Sequence, residues 1–281
     1  MTRYPAIALV LLALGSAQAA EKSLERTFKV SPGGALIVDA DSATVRVSGT
    51  ATNQVTVHMS ARGPDEDLAT TKLDAVQNSD GGVTVTMRRT AKQSWFSLRS
   101  WNSEGNIEIT VPQQYGINVH TGGGDVTLTG TTGSAVLHTS GGDIAARNVN
   151  GNVEAKTSGG GILADTIRGD VDANTSGGEV RLLHVDGKIK GQTSGGDVQC
   201  SLVGANRGIQ VSTSGGSIRL TLPQATAGSL EASTSGGEIS SELAMLTSEQ
   251  RDGYTRGSLN GGGQPISVRT SGGDISLRAA N

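Results

Sequence analysis

The stretch TSGGDIAARNVNGNVEAKTSGGGILADTIRGDVDANTSGGEV, residues 139–180, contains one short phrase three times at equal intervals. Close variants of the phrase begin at Thr121, Thr139, Thr157, Thr175, Thr193, Thr213, Thr234 and Thr270. The first five are equally spaced, and the intervals between the later ones are longer. Periods of this length are typical of solenoid proteins, and a unit so short and so rich in glycine and β-branched residues does not favour helix.

A nine-residue half-period inside the repeat predicts the core. A mostly β-branched position recurs at Val126, Ala135, Ile144, Val153, Ile162, Val171, Val180, Ile189 and Val198. Two residues later comes a mostly small, apolar column: Leu128, Leu137, Ala146, Ala155, Ala164, Ala173, Leu182, Gly191 and Cys200. Positions two apart share one face of a strand, so both columns should point inward. We therefore predict an all-β fold, a single-stranded β-solenoid that is β-helix-like, with two short strands per 18-residue coil. A left-handed hexapeptide helix would repeat its apolar position every six residues, so a right-handed or flattened winding is favoured.

Each phrase marks a corner between two strands. We expect its two glycines to adopt positive φ, which glycine reaches without a steric penalty. The acidic residue after them should accept hydrogen bonds from N–H groups of the turn. The regular solenoid is predicted to cover 121–281, with an insertion near 243–259 where the pattern lapses. After it, a last coil is predicted from Ile266, Val268, Ile275 and Leu277.

The segment 20–120 is predicted to be an irregular N-terminal β region that caps the solenoid. It alternates apolar and polar residues in LIVDA, ATVRVSG, QVTVHM and GVTVTM but contains no exact phrase. Its stretch GPDEDLATTKLDAVQNSDGG has acidic residues in a first turn and Gly81 at its end, which predicts one short helix near 65–78. A cap is needed because a bare solenoid end would expose core and sheet edges.

Residues 1–19 have the features of a secretory signal peptide: Arg3, an apolar run from Ala6 to Leu14, and the small-x-small motif Ala17-Gln18-Ala19. No later stretch reaches the roughly 20 apolar residues of a membrane-spanning helix. We therefore expect an exported chain without a transmembrane anchor. Periplasmic residence is the expectation, and an extracellular or cell-surface location is the alternative.

The composition argues against several classes of protein. Forty-one glycines and 2% aromatic residues are unlike an ordinary layered globule, and 35% hydrophobic residues in a periodic arrangement are unlike a disordered chain. The formal net charge of −3, about −4 once the leader with Arg3 is removed, gives no support for nucleic acid as a partner. Cys200 is the one cysteine, which excludes an internal disulfide. The oligomeric state stays open.

Three stretches carry a family resemblance: FKVSPGGALIVDADSATVRVSG at 28–49, NIEITVP at 106–112, and the tandem TSGGDI turns. Together with the expected export, they resemble a bacterial family of unknown function known as "putative adhesin" or β-strand-repeat proteins. The resemblance covers nearly the whole chain after the leader and extends to head domains of auto-transporter adhesins. It implies a β-solenoid at the cell envelope, and it offers no catalytic motif to carry over.

The acidic residue after the glycines is the first candidate site. Equivalent positions hold Asp125, Asp143, Glu179, Asp197, Glu238 and Asp274, with Gly161 and Ser217 interrupting the row. Like charges about 5 Å apart in water repel by roughly 1 kcal/mol per pair, which turn hydrogen bonds or cations would offset. The phrase lacks the G-G-x-G-x-D-x-U-x spacing of calcium rolls, so turn capping is favoured over calcium. Candidate binding residues are Asp125, Asp143, Glu179 and Asp197, and calcium is the one cofactor considered.

The segment WFSLRSW at 95–101 contains three of the few aromatic residues and lies outside the repeats. Exposed in a loop, Trp95, Phe96 and Trp101 would grip a glycan, a protein partner or a membrane interface. Packed as a flap, they would instead cover an open end or edge of the core. We take this segment as a candidate binding site with both interpretations open.

His120 and His138 stand one coil apart, where two imidazoles would lie near enough to share a metal. The following coils place Lys156, Asn174 and Gln192 in that column, which favours an exposed polar edge without a metal. No nucleophile, base and orienting acid come together in the sequence, so we expect no enzyme.

The function predicted from the sequence is a non-enzymatic, adhesin-like envelope module, structural or binding, that presents repeated faces and corner loops to an envelope protein or glycan. One alternative is a polysaccharide-acting β-helix enzyme, although such enzymes have longer coils and aromatic clefts. The other is a sensor or assembly factor in envelope stress.

Overall fold

The computed structural model describes residues 20–90 and 104–280, which form 25 β-strands in two long sheets and one short helix, α1 (Asp65–Thr70). In spatial order, sheet A contains β1 (Ala20–Lys29), β4 (Gln54–Gly63), β7 (Glu104–Pro112), β3 (Thr44–Thr50), β9 (Val126–Thr129), β11 (Ile144–Asn150), β13 (Ile162–Arg168), β15 (Val180–Asp186), β17 (Val198–Leu202), β19 (Ile218–Pro223), β25 (Ile275–Ala280) and β21 (Ile239–Ser241). Sheet B contains β22 (Leu246–Arg251), β23 (Tyr254–Leu259), β20 (Gly228–Ser233), β24 (Pro265–Arg269), β18 (Ile209–Ser212), β16 (Ile189–Gln192), β14 (Val171–Asn174), β12 (Val153–Lys156), β10 (Ala135–Thr139), β8 (Gly116–Thr121), β2 (Ala35–Ala40), β6 (Val83–Arg89) and β5 (Thr71–Gln77).

Central strands of each sheet pair in parallel with the strand one coil away. Ile144 is aligned with Ile162 in sheet A, and Ile162 with Val180, so one coil has the length of one sequence repeat. Sheet B repeats the step, since Val153 is aligned with Val171. The predicted all-β solenoid with two strands per coil is confirmed, and its winding direction stays a prediction.

The core consists of the two columns predicted from the half-period. Every apolar residue of both columns exposes 2% or less of its surface. A third inward column that the sequence did not predict contains Val149, Ile167, Val185 and Leu202. In three of these coils the preceding residue is left-handed: Asn148 (φ 54°), Thr166 (φ 59°) and His184 (φ 51°). That residue bends the chain at the end of the sheet A strand, so one more apolar side chain points inward.

The glycines of the repeated phrase do not have positive φ, and that expectation is wrong. Their role is to let stacked corners approach closely. A Cβ on Gly142 would lie 2.3 Å from the carbonyl oxygen of Gly124 in the neighbouring coil, and one on Gly160 would lie 2.1 Å from that of Gly142. Only a hydrogen fits in that space, because the obstacle is backbone that cannot turn away.

The N-terminal strands belong to the stack itself. β2 lies between β6 and β8, and β3 lies between β7 and β9, so β2 and β3 together form its second coil. Beyond the first coil, β6 with β7, sheet A continues through the antiparallel strands β4 and β1, and sheet B through β5.

The helix predicted near 65–78 forms only in its first part, as α1, and the second part is β5. β5 pairs antiparallel with β6, and on its inward face Thr71 and Ala75 are buried and Leu73 is partly buried against the core. A strand is favoured there because the ladder to β6 satisfies the backbone while inward residues at alternate positions extend the core. From β1 across the core, Lys22 Nζ donates to the carbonyl oxygen of Thr71 (2.6 Å), and Arg26 donates to that of Ala75, which ties the two sheets together at this end.

The C-terminal coil is last in sequence but not in space, which corrects the expectation. β24 lies between β18 and β20, with Ile266 aligned with both Ile209 and Leu230. β25 correspondingly lies between β19 and β21. The inserted position is favourable because both edges of the coil are paired, and Ile266 is fully buried whereas Ile239 of the outer coil is only partly buried. The segment near 243–259 forms the hairpin of β22 and β23, which extends sheet B beyond β20.

Candidate functional site

The acidic residues of the corners are engaged in a hydrogen-bond ladder between coils. Asp125 Oδ1 accepts the backbone N–H of Asp143 at 2.9 Å, and Asp143 Oδ1 accepts that of Gly161 at 2.7 Å. Asp197 Oδ1 accepts the N–H of Ser217 at 2.7 Å. These carboxylates therefore cap the next turn, as the turn-capping interpretation expects, and the three aspartates are exposed.

Glu179 departs from this ladder. Its carboxylate accepts a 2.7 Å hydrogen bond from Arg181 Nε, two residues later on the outer face of sheet A. A glutamate places its carboxylate one methylene farther from the backbone than an aspartate does, so it reaches the arginine. A binding role for Asp125, Asp143, Glu179 and Asp197 stays a prediction.

The threonines that open the phrases are buried inside the corners. Thr175 is 2% exposed, and its Oγ1 donates to the carbonyl oxygen of Gly160 at 2.7 Å. Thr139 donates in the same way to Gly124 at 2.9 Å, and its hydroxyl also accepts the N–H of Gly142 at 3.4 Å. The threonine column stabilises the stack and presents no hydroxyl to solvent.

The aromatic candidates Trp95, Phe96 and Trp101 lie in 91–103, outside the described residues. The flanking strands β6 and β7 form the first coil of the stack, at the end opposite the C-terminal hairpin. The proposed contact role of this segment stays a prediction.

A shallow groove of about 360 Å³ crosses the outer face of sheet B, and we call it the sheet B groove. Its rim and walls come from four consecutive coils: Ser134, Val136, Asn152, Glu154, Asp170, Asp172, Lys188 and Lys190. Val136, Glu154, Asp172 and Lys190 form one row across adjacent strands, because each is aligned with the next in register. Neighbouring members of the row are about 4.8 Å apart.

Charge pairing holds the walls of the groove. Lys190 Nζ donates to Asp172 Oδ2 at 3.0 Å. Lys156 donates to Glu154, and this hydrogen bond lowers the pKa of the Glu154 carboxyl and raises the pKa of the Lys156 ammonium. His138 Nε2 lies 3.4 Å from Glu154 Oε1 and adds a smaller lowering of the glutamate pKa.

The rim of the groove repeats the corner ladder on the opposite side of the coil. Asn152 Oδ1 accepts the N–H of Asp170 at 2.9 Å, and Asp170 Oδ1 accepts that of Lys188 at 2.9 Å. These two hydrogen bonds join three consecutive coils along the rim. A rigid row of this kind suits an extended partner, because little side-chain freedom remains to be lost on binding.

The two histidines lie beside the groove, aligned in register as the sequence predicts. Their ring centroids are 6.5 Å apart, and the rings are nearly perpendicular at 82°. Asp39 is aligned with His120 on the other side, but its carboxylate binds Arg88. Among residues 20–90 and 104–280, no three His, Cys, Asp or Glu side chains form a group that would hold a metal ion.

Sequence reasoning missed the groove because its residues do not belong to the repeated phrase. The usable signal was the position between the two inward columns, which reads Val136, Glu154, Asp172 and Lys190 in successive repeats. Outward positions on one sheet must align whenever the inward ones do.

The sequence also indicated no role for His184. It is exposed, and its Nδ1 lies 2.8 Å from Asp165 Oδ1, which lowers the pKa of that aspartate.

Two further cavities lie toward the ends of the stack. One of about 510 Å³ is lined by residues that include Arg46, Arg62 and Glu104. The other, of about 350 Å³, lies near Pro223, Leu243 and Asn260. Within the described ranges, no helix has the length and apolar character needed to cross a bilayer.

Several solved structures are similar to this chain. One described as a "putative adhesin" from Bacteroides fragilis is 14% identical, with 94% of this chain and 100% of that chain covered and a TM-score of 0.48. Another, a "putative lipid binding protein" from Parabacteroides distasonis, is 15% identical, with coverages of 92% and 97% and a TM-score of 0.48. A "putative adhesin" from Parabacteroides merdae is 10% identical, with coverages of 91% and 96% and a TM-score of 0.43. No curated protein matches the chain.

The family comparison gives a direct assignment. The model of the Toastrack DUF4097 family matches residues 35–278, from the start of β2 into β25. The match includes the coil of β2 and β3, the coil of β24 and most of β25, and all the repeated corners. This chain therefore belongs to the Toastrack DUF4097 family.

Proposed function

We propose that the chain is an exported, non-enzymatic module of the bacterial envelope, adhesin-like in character, that binds an extended partner along the outer face of sheet B. The observation that carries the proposal is the sheet B groove, where one row of side chains continues in register across four coils. An extended polymer that runs along the stack meets one such side chain per coil.

The rigidity of the stack supports this role. Buried threonines and capping carboxylates tie each corner to the next, so the outward rows are held by the same ladder that holds the core. Preorganised surfaces bind with a smaller entropic cost than mobile ones do. The described strands form ten stacked coils, and the nine spacings of about 4.8 Å between them extend the face over roughly 43 Å.

Export is part of the proposal and rests on residues 1–19. Expression of the full chain in a Gram-negative host should yield a periplasmic product that begins at Ala20. N-terminal sequencing of the fractionated protein measures this, and a product that keeps Met1 in the cytoplasm would contradict it.

Binding is tested with the chain from Ala20 onward on glycan arrays and in pull-downs from envelope fractions. The groove variant is Asp172→Ala/Lys190→Ala. The matched control is Gln199→Ala/Arg219→Ala, which alters two register neighbours on the outer face of sheet A. The loop variant is Trp95→Ala/Trp101→Ala, and addition of calcium or a chelator tests the acidic column.

We expect the groove variant to lose about tenfold or more in affinity, the equivalent of roughly 1.4 kcal/mol, and the control to bind like the native chain. Equal binding by the groove variant and the control would refute the groove as the site. Loss of binding only in the loop variant would move the contact to 95–101. Turnover of a polysaccharide by the purified chain would overturn the non-enzymatic role.

A further inference from the structure

The coil of β24 and β25 is a plug seated between two coils that precede it in the chain. On one side, the plug, residues 265–280, pairs with β18 and β19, and on the other with β20 and β21. Its side chains Ile266, Val268, Ile275 and Leu277 are fully buried. We propose that the slot also accepts the plug of a second copy of this chain, so that two molecules trade plugs and form a closed dimer.

The two walls of the slot, the coil of β18 and β19 and the coil of β20 and β21, can make equivalent contacts. With the plug in place, Thr234 Oγ1 donates to the carbonyl oxygen of Gly273 at 2.8 Å, and Thr270 Oγ1 donates to that of Gly216 at 2.7 Å. If the plug leaves, Thr234 faces Gly216 instead of Gly273, and the same kind of bond closes the gap. The vacated slot can therefore shut on itself, which lowers the cost of releasing the plug.

The link to the plug is a hinge of three consecutive glycines. Gly261, Gly262 and Gly263 have φ values of 88°, 86° and 145°, which side-chain-bearing residues rarely adopt. Just before them, Asn260 is fixed, because its Nδ2 donates to the carbonyl oxygens of Gln224 and Thr226 at 2.9 Å each. Motion is thus confined to the glycines, and the hairpin of β22 and β23 can stay in place while the plug swings out.

The geometry of the hinge also explains why the plug of a second copy of this chain fits the slot. Leu259 pairs with Gly228 on one side of β20, and Pro265 pairs with Ser229 on the other, so the link must cross that strand. A plug from a second molecule makes every ladder contact of the native one, since its sequence is the same. Only the path of the hinge differs, which is the condition for domain swapping into a symmetric dimer.

A disulfide across the slot distinguishes the two forms. Gln210 of β18 is aligned with Ser267 of β24, and both face outward. In the variant Gln210→Cys/Ser267→Cys, the disulfide forms within one chain when the plug occupies the slot of its own molecule. It forms between two chains when two molecules have exchanged plugs. The matched control, Gln192→Cys/Ser212→Cys, joins β16 to β18 within the body of one molecule, so its bond stays within one chain in either form. The native Cys200 is buried and does not interfere.

The protein is unfolded in urea, refolded at concentrations from micromolar to about millimolar, the range of an intramolecular effective concentration, then oxidised and run on a non-reducing gel. We expect the covalent dimer of the slot variant to increase with concentration, to at least five times the fraction in the control. Equal dimer fractions in the slot variant and the control, or no dimer at the highest concentration, would overturn the proposal.

A shortened hinge tests the same point without refolding. Deletion of Gly261–Gly263 leaves three Cα–Cα steps, at most about 11 Å, to span two strand spacings of roughly 10 Å, with no length left to pass around β20. The home slot is then out of reach. We expect this variant to purify as a dimer by light scattering, with native circular dichroism. A folded monomer would refute the exchange, and an unfolded product would show that a second molecule cannot supply the plug.

Discussion

Because stacked corners approach closely, two neighbouring glycines differ sharply in the space that they leave for a side chain. Gly159 and Gly160 are adjacent in the phrase TSGGG, and neither has positive φ, so alanine is conformationally allowed at both. A Cβ on Gly160 would lie 2.1 Å from the carbonyl oxygen of Gly142, whereas on Gly159 the nearest atom would be 3.4 Å away. We predict that Gly160→Ala strongly destabilises the fold and that Gly159→Ala does not.

The size of the destabilisation follows from the hydrogen bonds between stacked corners that must lengthen. An overlap of about 1 Å against backbone is relieved only if the two corners separate, and overpacking of this kind costs about 1–3 kcal/mol. Separation also stretches the bonds that join these corners, among them Gly159 N–H to the Ser140 carbonyl at 3.1 Å and Gly161 N–H to Asp143 Oδ1 at 2.7 Å. Two weakened hydrogen bonds add roughly 1 kcal/mol each. We expect a total loss of about 3–5 kcal/mol for Gly160→Ala.

Thermal and urea unfolding followed by circular dichroism measure this difference. For a chain of this size, about 3 kcal/mol corresponds to a fall in Tm of roughly 6–12 °C. The free energy of unfolding of Gly159→Ala should be within about 1 kcal/mol of the native value or slightly higher. Alanine restricts the unfolded state, which favours folding. Equal midpoints for the two variants would refute the close-approach explanation of the repeated glycines.

Three further predictions concern single side chains. Thr175→Val should cost about 1–2 kcal/mol in urea unfolding, because it removes the hydroxyl that donates to Gly160, and Thr175→Ser should recover part of the loss. The hydrogen bond from His184 lowers the pKa of Asp165, so the stability it contributes is fully present above the ordinary aspartate pKa near 4 and is lost as the pH falls through the lower folded value. His184→Ala should therefore raise the pKa of Asp165 in an NMR titration, and an unchanged titration would contradict the pairing. Burial raises the pKa of the Cys200 thiol to about 12, so native protein should not react with a thiol reagent at pH 8 until urea unfolds it.

The candidate site was only partly open to prediction from the sequence. The repeated phrase located the acidic ladder, since an acidic residue that follows two glycines in most coils recurs at the same corner. It did not indicate the sheet B groove, because Glu154, Asp172 and Lys190 differ in kind and so form no recognisable motif. Their common row exists only when the strands are aligned, and their roles follow from ion pairs with neighbouring side chains.

The fold, too, was predictable from the sequence only in part. The nine-residue half-period determined the two strands of each coil, their register and the residues of the core, because burial of every second residue on a strand is a local rule. The third inward column escaped it, since Thr166 and its equivalents leave the strand conformation and shift the spacing from two to three. The phrase also showed where the glycines lie but not why, because the atom that excludes a side chain at Gly160 belongs to another coil.

The order of the coils was decided by the tertiary structure alone. Coils of this repeat present the same columns to their neighbours, so nothing local places β24 between β18 and β20 in preference to a position beyond β20. The sequence determined that each coil can stack. The whole molecule decided where, because the N-terminal pair β2/β3 and the C-terminal pair β24/β25 gain a paired edge on both sides only when they are inserted between other coils.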